Sequence, residues 1–378
     1  MQFFFLLSFL AGQIVSLVPV GKWSFLDVFA VSSCIIFFIR HVRHHKTIRH
    51  GRLFRSVGLF VLVAAAELLL RMTVMRASVN IPDMLYLMRW IAYAGIYAFV
   101  LSDRTQIPWK LILYWSGVTL AVMGLVQLAI YPDLRNLTYL GWDPHFRRVF
   151  ATLFDPNFAG VVYVLTFLVG LSLGSKKRNR IFLVGGQMTV FAALLLTYSR
   201  SSFAAFIFGM IVWSILRRSY AFLSGVVVVF VAFIFLLNGV AEGQNLFRSV
   251  STQARLGSAA VGWNRFVQSP VVGTGFTIAH PDSAYSLPPN RAGNVDTSLL
   301  FVLASTGLLG FAAYAVLWKG MGALGFASLK RTSDPVLLSS LAAILVHSMF
   351  INSLFYPWVM AWMWILLALT EKELTVGR

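Results

Sequence analysis

Apolar runs long enough to cross a bilayer recur along almost the whole of this chain. A helix needs ~20 mostly apolar residues to traverse the hydrocarbon layer. Such runs fall at about 2–19, 24–39, 54–71, 84–101, 111–130, 157–174, 181–198, 202–216, 220–238, 297–318, 335–352 and 356–370. Runs of this length are not β-barrel strands, which would be ~10 residues of alternating polarity. The chain is 58% hydrophobic and 12% charged, against about 25% charged in a soluble domain. The expected class is an all-α polytopic membrane protein with about twelve transmembrane helices, organised as one transmembrane domain over residues 1–378. Residues 1–18 lack a basic n-region and a small-x-small cleavage site, so they read as a retained first helix.

The formal charge of +18 need not imply nucleic acid, because loops on the cytoplasmic side of a membrane protein are enriched in Lys and Arg. With the N-terminus in the cytoplasm, the loops at 40–55, 102–110, 175–180, 217–218, 319–331 and the tail collect 19 of the 31 cations. Both termini are then cytoplasmic. Of the 12 cations left outside, 11 are arginine, whereas seven of the 19 inside are lysine. Orientation alone is indifferent to which cation is used. A guanidinium binds phosphate oxygens with a planar two-pronged fork, and an ammonium does not. The outward set therefore points to a phosphate-bearing partner at the outer interface. The competing explanation for any single arginine is that it snorkels from a helix end.

The one long stretch without a membrane-length run is 239–296, an expected extracytoplasmic loop between spans nine and ten. It carries Arg248, Arg255, Arg265, Arg291, Trp263, His280 and Asp296. A loop this long is usually functional or disordered. Arg255 and Trp263 stand eight apart, on one face of a helix, and Gly273-Thr-Gly275 after Pro270 signals a turn. Trp263 fits a sugar-stacking platform and an interface anchor equally. Asp296 fits a helix cap at the mouth of the tenth span and equally a general base, with His280 as its rival. A second outward segment, 131–157, holds Arg135, Arg147, Arg148 and Trp142.

Asp155 and Pro156 look like a helix cap followed by a first-turn proline. The same device recurs at 332–338 on the cytoplasmic side, with Ser333 or Asp334 as the cap before Pro335. Asn157 has no such parallel and is a candidate site residue. Arg200 occupies a very short link, TYSRSS, with no local acid, so an anion or a carboxylate from elsewhere must balance it. Tyr198, Ser199 and Ser201 could add hydrogen bonds to phosphate. Inside the third span Glu67 has Arg71 one turn on as its expected partner, and His347 reads as a packed, hydrogen-bonded histidine. Four of the seven histidines sit in RHVRHHKTIRH, without acid or cysteine, which suits a lipid-surface anchor rather than a metal site. Cys34 is the single cysteine, so no internal disulfide forms. No phosphate-binding loop, zinc spacing or nucleophile elbow occurs, and no cytoplasmic domain could hold a nucleotide. No metal and no cofactor are expected, and energy must arrive with the substrate.

In order along the chain, RRVFATLFDPNFAG, LLLTYSRSSFAAFIFG, ARLGSAAVGWNRFVQSPVVGTGF and VDTSLLFVLASTGLLGF resemble the O-antigen ligase and O-antigen or exopolysaccharide polymerase superfamily. The resemblance spans roughly residues 147–318. It implies a GT-C-like fold and a metal-independent glycosyltransferase of the bacterial inner membrane. The implied partners are an undecaprenyl-diphosphate-linked glycan, an acceptor glycan and the lipid bilayer, with a chain-length regulator as a further candidate and no nucleic acid. Ligases of the family carry a histidine followed by asparagine where this chain has Asp296 and Thr297, a departure that favours a polymerase over a ligase. Lipid-linked sugar transport is the non-enzyme alternative. On this resemblance Arg200, Arg255 and Asp296 are the expected catalytic residues. Arg147, Arg148, Asn157, Trp263, Arg265, His280 and Arg291 are expected to bind substrate.

Overall fold

The structure is a computed structural model. It describes residues 1–14, 23–43, 51–73, 81–103, 105, 107–140, 142–173, 180–236, 250–275 and 295–375. Among them no β-strand forms; two residues, Asp133 and Phe146, make an isolated bridge. The helices are α1 (Gln2–Ala11), α2 (Phe25–Arg43), α3 (Phe54–Thr73), α4 (Ile81–Ser102), α5 (Trp109–Ile130), α6 (Pro156–Ser172), α7 (Arg180–Leu195), α8 (Arg200–Arg217), α9 (Tyr220–Leu236), α10 (Val250–Gln268), α11 (Ser298–Thr332), α12 (Val336–Ser348) and α13 (Pro357–Thr375). Five of them, α2, α4, α5, α8 and α11, are long and apolar enough to cross a membrane, and five more are apolar but shorter. The chain is an all-α membrane protein.

Two boundaries differ from the sequence expectation for physical reasons. The first helix stops at Gly12, whose φ is 60° and whose missing side chain leaves room for the Thr152 carbonyl. The tenth expected span ends at 318, but α11 continues to Thr332. It is interrupted at Gly307, where φ is 59° and ψ is −163°.

Contacts divide the chain into two compact units. The first comprises Met1–Ser16, Ile107–Val250 and Ser328–His347, and the second Leu17–Gln106, Ser251–Ala327 and Ser348–Arg378. In the first unit α6 packs on α5, α7 and α8, and α9 leans on α8. Lys110 pairs with Asp334 at 2.8 Å, and Asp334 caps α12 by accepting from the Val336 amide at 3.0 Å. The expected Asp-Pro device is therefore present there.

The core of the second unit is α13, which from Pro357 to Ala368 is buried on every side because that stretch is apolar all round. Trp364 meets Trp90 of α4 edge to face at 5.8 Å. Glu371 on α13 accepts from the Arg52 amide at 2.9 Å and from the Tyr97 hydroxyl, fastening the last helix to α4 and to the start of α3. Glu67 is 4% exposed, and neither carboxylate oxygen has a hydrogen-bond partner among the described residues. The side chain of Arg71, its expected partner, lies outside them.

One outward arginine leaves the phosphate-binding set at once. Arg89 lies over the Trp23 ring at 5.4 Å and grips Asp27 with both prongs, at 2.6 and 2.9 Å. Asp27 is saturated further by the Tyr93 hydroxyl at 3.0 Å and by the Ser24 amide and hydroxyl. Such fully bonded geometry is what allows two charges to stay buried together.

Candidate functional site

In the first unit the site is built where the N-termini of α6 and α8 meet. Asp155 caps α6, its carboxylate accepting from the Asn157 amide at 2.7 Å and from Asn157 Nδ2 at 3.0 Å. Ser199 caps α8 by accepting from the Ser202 amide at 3.3 Å. The caps are bonded to one another, because the Ser199 hydroxyl donates to Asn157 Oδ1 at 2.8 Å. The Ser202 hydroxyl is 3.0 Å from the Asn157 carbonyl, 2.9 Å from the Ser199 hydroxyl and 3.4 Å from His347 Nε2. The helices can approach this closely because Gly160 faces Ser202; a Cβ there would stand 2.3 Å from the serine oxygen. His347 is fully buried, in keeping with its expected packed role. The N–H groups at a helix N-terminus carry about half a positive charge; the Asp155 carboxylate offsets it at α6, whereas α8 is capped only by the neutral Ser199 hydroxyl and keeps it. Arg200, the first residue of α8, adds a full charge to it.

Arg148 is buried to 4% exposure, and its fork is turned inward. Nε donates to the Thr197 carbonyl at 2.8 Å, one terminal nitrogen reaches the Tyr198 carbonyl at 3.4 Å, and the other lies 3.4 Å from His145 Nδ1. Arg148 thus clamps the link that presents Ser199 and Arg200. The clamp is reinforced by the Val149 amide bonding to Leu196 at 2.9 Å and by Gln127 Oε1 receiving the Phe150 and Ala151 amides. Lysine cannot span both carbonyls. Arg148→Lys is expected to cost about 1–3 kcal/mol, the range for a lost hydrogen bond to a charged group and a stranded buried acceptor. The check is the thermal midpoint in detergent, and an unchanged midpoint would show that the clamp carries no weight.

Of the other arginines of this segment, Arg147 is exposed and lies 5.4 Å from the Phe146 ring. Arg135 forks onto Asp133 at 2.9 and 2.7 Å and holds that carboxyl below its usual range through those bonds. Asp143, His145 and Asp155, unremarked as a set in the sequence, bring three donor atoms within 4.8 Å of one another. The Asp-x-His spacing was the available signal, but Asp155 joins only through the fold. These residue types could hold a divalent cation. The Arg148 guanidinium beside His145 opposes one, since it adds a like charge at the ring's edge.

In the second unit the candidates gather around α10 and the start of α11. The Ser258 hydroxyl on α10 accepts from the Asp296 amide at 2.7 Å. Gly262 on the same face packs against Val295 and Leu300. These contacts fix the backbone at Asp296, which is half-buried. Arg255, also half-buried, lies 5.9 Å from the Phe350 ring. Trp263 is 55% exposed and sits 5.4 Å from Phe266; Arg265 is half-buried on the same helix. His280 and Arg291 lie outside the described residues.

The Gly-Thr-Gly turn has a partner in this unit. The Thr274 and Gly275 amides donate to the Ala304 and Ser305 carbonyls at 2.9 and 2.8 Å, and the Leu308 and Leu309 amides donate back to Pro270 and Val271 at 2.9 and 3.2 Å. The turn therefore satisfies both broken ends of α11 at Gly307.

Residues 186–315, which take in α8, α9, α10 and the first part of α11, match the model of a family described as O-antigen ligase. That match supports the O-antigen ligase and polymerase superfamily as this chain's relatives. No curated protein matches the chain.

Proposed function

We propose, with the O-antigen ligase family match as premise, that the chain is a GT-C-like glycosyltransferase of the bacterial inner membrane. It extends a polysaccharide by moving a lipid-linked repeat unit from undecaprenyl diphosphate onto a sugar hydroxyl. Both termini lie in the cytoplasm and the chemistry faces outward. The observation that carries this reading is the bonding of the α6 and α8 caps to each other, with Arg200 at the first position of α8. The α8 N-terminus and a guanidinium together suit a diphosphate, which needs charge at several oxygens at once.

In the reaction the acceptor hydroxyl attacks the anomeric carbon of the donor sugar. The bond from that carbon to the diphosphate oxygen breaks, and the electron pair leaves with the diphosphate. Arg200 stabilises the charge that develops there, as fixed donors aimed at a leaving oxyanion do. Asp296 is assigned to accept the hydroxyl proton, contributing about 10²–10⁴-fold, and Arg255 keeps the anion-binding role that the family resemblance implies. Asn157 and Arg148 hold the first unit's cradle in shape. Arg147 and Arg265 are assigned to glycan binding, and His280 and Arg291, outside the described residues, keep the binding role the resemblance implies.

The family description itself favours a second reading, in which the acceptor is the lipid A core. The deciding experiment incubates purified protein in liposomes with polyprenyl-diphosphate-linked repeat units, with and without lipid A core and with a chelator throughout. Lengthened lipid-linked glycan is the expected result, undiminished by chelation. Transfer to the core alone replaces the polymerase with a ligase. Passage of the lipid-linked sugar across the bilayer without a new glycosidic bond overturns the enzyme.

A further inference from the structure

α10 carries an apolar stripe that stays exposed among the described residues. Leu256 is 67% exposed, Trp263 55% and Val267 58%, and Ala260 between them is exposed as well. Steps of four, three and four residues return to one face of a helix. The remaining circumference divides cleanly. Ser258 and Gly262 are buried, against Asp296, Val295 and Leu300. Gln253, Gly257, Asn264 and Gln268 are exposed and, glycine apart, polar. One side of the helix is therefore dressed for protein, one for water and one for neither.

The stripe does not end with the helix. Val271 in the following turn is 55% exposed, and its carbonyl is bonded to the Leu309 amide of α11. Leu308 and Leu309 are each 54% exposed, on a helix long and apolar enough to cross a membrane. The uncovered face of α10 thus runs without a break onto the surface that α11 offers to acyl chains. Beyond the break at Gly307, α11 still runs to Thr332, roughly 37 Å at 1.5 Å per residue, against a hydrocarbon layer of ~30 Å, so the arm before the break is not needed to cross that layer. Trp263 in the middle of the stripe is a residue type that favours the headgroup level.

We infer that α10 lies along the membrane–water interface, with its Leu256–Ala260–Trp263–Val267 face sunk among the lipid acyl chains. Its polar side faces water and its Ser258–Gly262 side is bolted to the start of α11. An amphipathic helix in this position buries its apolar side to the depth of the headgroup boundary. Arg255 and Arg265 stand on either side of the buried Ser258–Gly262 face, away from the apolar stripe, and both are half-buried. This assignment makes Trp263 an anchor rather than a sugar platform. It does not depend on glycosyl transfer.

The test uses the full-length protein in liposomes of phosphatidylethanolamine and phosphatidylglycerol, with Cys34 replaced by serine. Single cysteines are placed in turn at Leu256, Ala260 and Val267, and at Gln253, Asn264 and Gln268, all exposed positions that tolerate a nitroxide label. Power saturation then compares collision with oxygen, which concentrates in lipid, and with a nickel chelate, which stays in water. The expected result is at least a threefold higher oxygen-to-nickel ratio at the first three positions than at the second three. Equal nickel access on both faces would place the helix in water and overturn the inference. Closure of the apolar face to both reagents would mean that protein covers it, and would overturn it equally. Neither result would bear on the glycan assay.

Discussion

Replacing Arg200 with alanine is expected to slow glycan transfer by about 10²–10³-fold, the loss found when one preorganised donor is removed from a developing oxyanion. The reason is positional. Arg200 opens α8 directly after the Ser199 cap, and that cap is tied to Asn157 at the head of α6. The guanidinium therefore adds to an α8 helix end already held in place. Arg200→Lys keeps the charge and loses the planar fork, so it should recover part of the rate and leave the thermal midpoint near that of the parent. Single-turnover assays with a fixed lipid-linked donor separate the two contributions. A rate within threefold of the parent in the alanine protein would remove Arg200 from the reaction.

Gly307→Ala is the second large effect, and it acts on stability. At φ 59° and ψ −163° the residue occupies a region open essentially to glycine alone, where a side chain costs of order 1–3 kcal/mol in strain. Space is lacking as well, because a Cβ would stand 2.3 Å from the Val271 carbonyl oxygen. Relief requires the Pro270–Gly275 turn to lift away and give up backbone bonds on both sides of the break. The expected cost is at least about 3 kcal/mol, read as a lowered midpoint in detergent. Gly273→Ala attacks the same contact from the other side, with φ at +70° and the Ser305 carbonyl 2.3 Å from its Cβ. The two losses should not add, since one displacement relieves both. Gly257→Ala on α10 meets nothing within 4 Å and should raise stability by up to about 1 kcal/mol through helix propensity. Equal midpoints for all three proteins would contradict the described backbone at the break.

Much of the local structure was legible because local chemistry writes it. The Asp155 and Asp334 caps, the helical phase of Arg255 and Trp263, and a turn at Gly273-Thr-Gly275 each depend on a few neighbouring residues. The apolar runs announced the helices for the same reason. What could not be read were relations set by distant partners. Arg89 counted as an outward cation until Asp27, 62 residues away, took both prongs of its fork. Arg148 looked identical to Arg147, yet one is buried against Thr197 and Tyr198 and the other is exposed. The break in α11 was invisible because Ser305, Thr306 and Gly307 interrupt an otherwise apolar run without a proline or a charge to mark a helix end. Its stabilising partner, the 270–275 turn, is written more than thirty residues earlier. The pairing of the α6 and α8 caps depends on Gly160, which in sequence is one glycine among 28.

Pinning the heads of α6 and α8 together has a consequence for the timing of binding. Ser199, Ser202, Asn157 and His347 form one hydrogen-bonded knot in a place where Gly160 leaves no slack. An anion reaching Arg200 thus finds its receptor finished before it arrives, and no helix has to swing to greet it. If Arg200 holds the diphosphate as proposed, the waiting in the reaction falls to the incoming sugar rather than to the phosphate end.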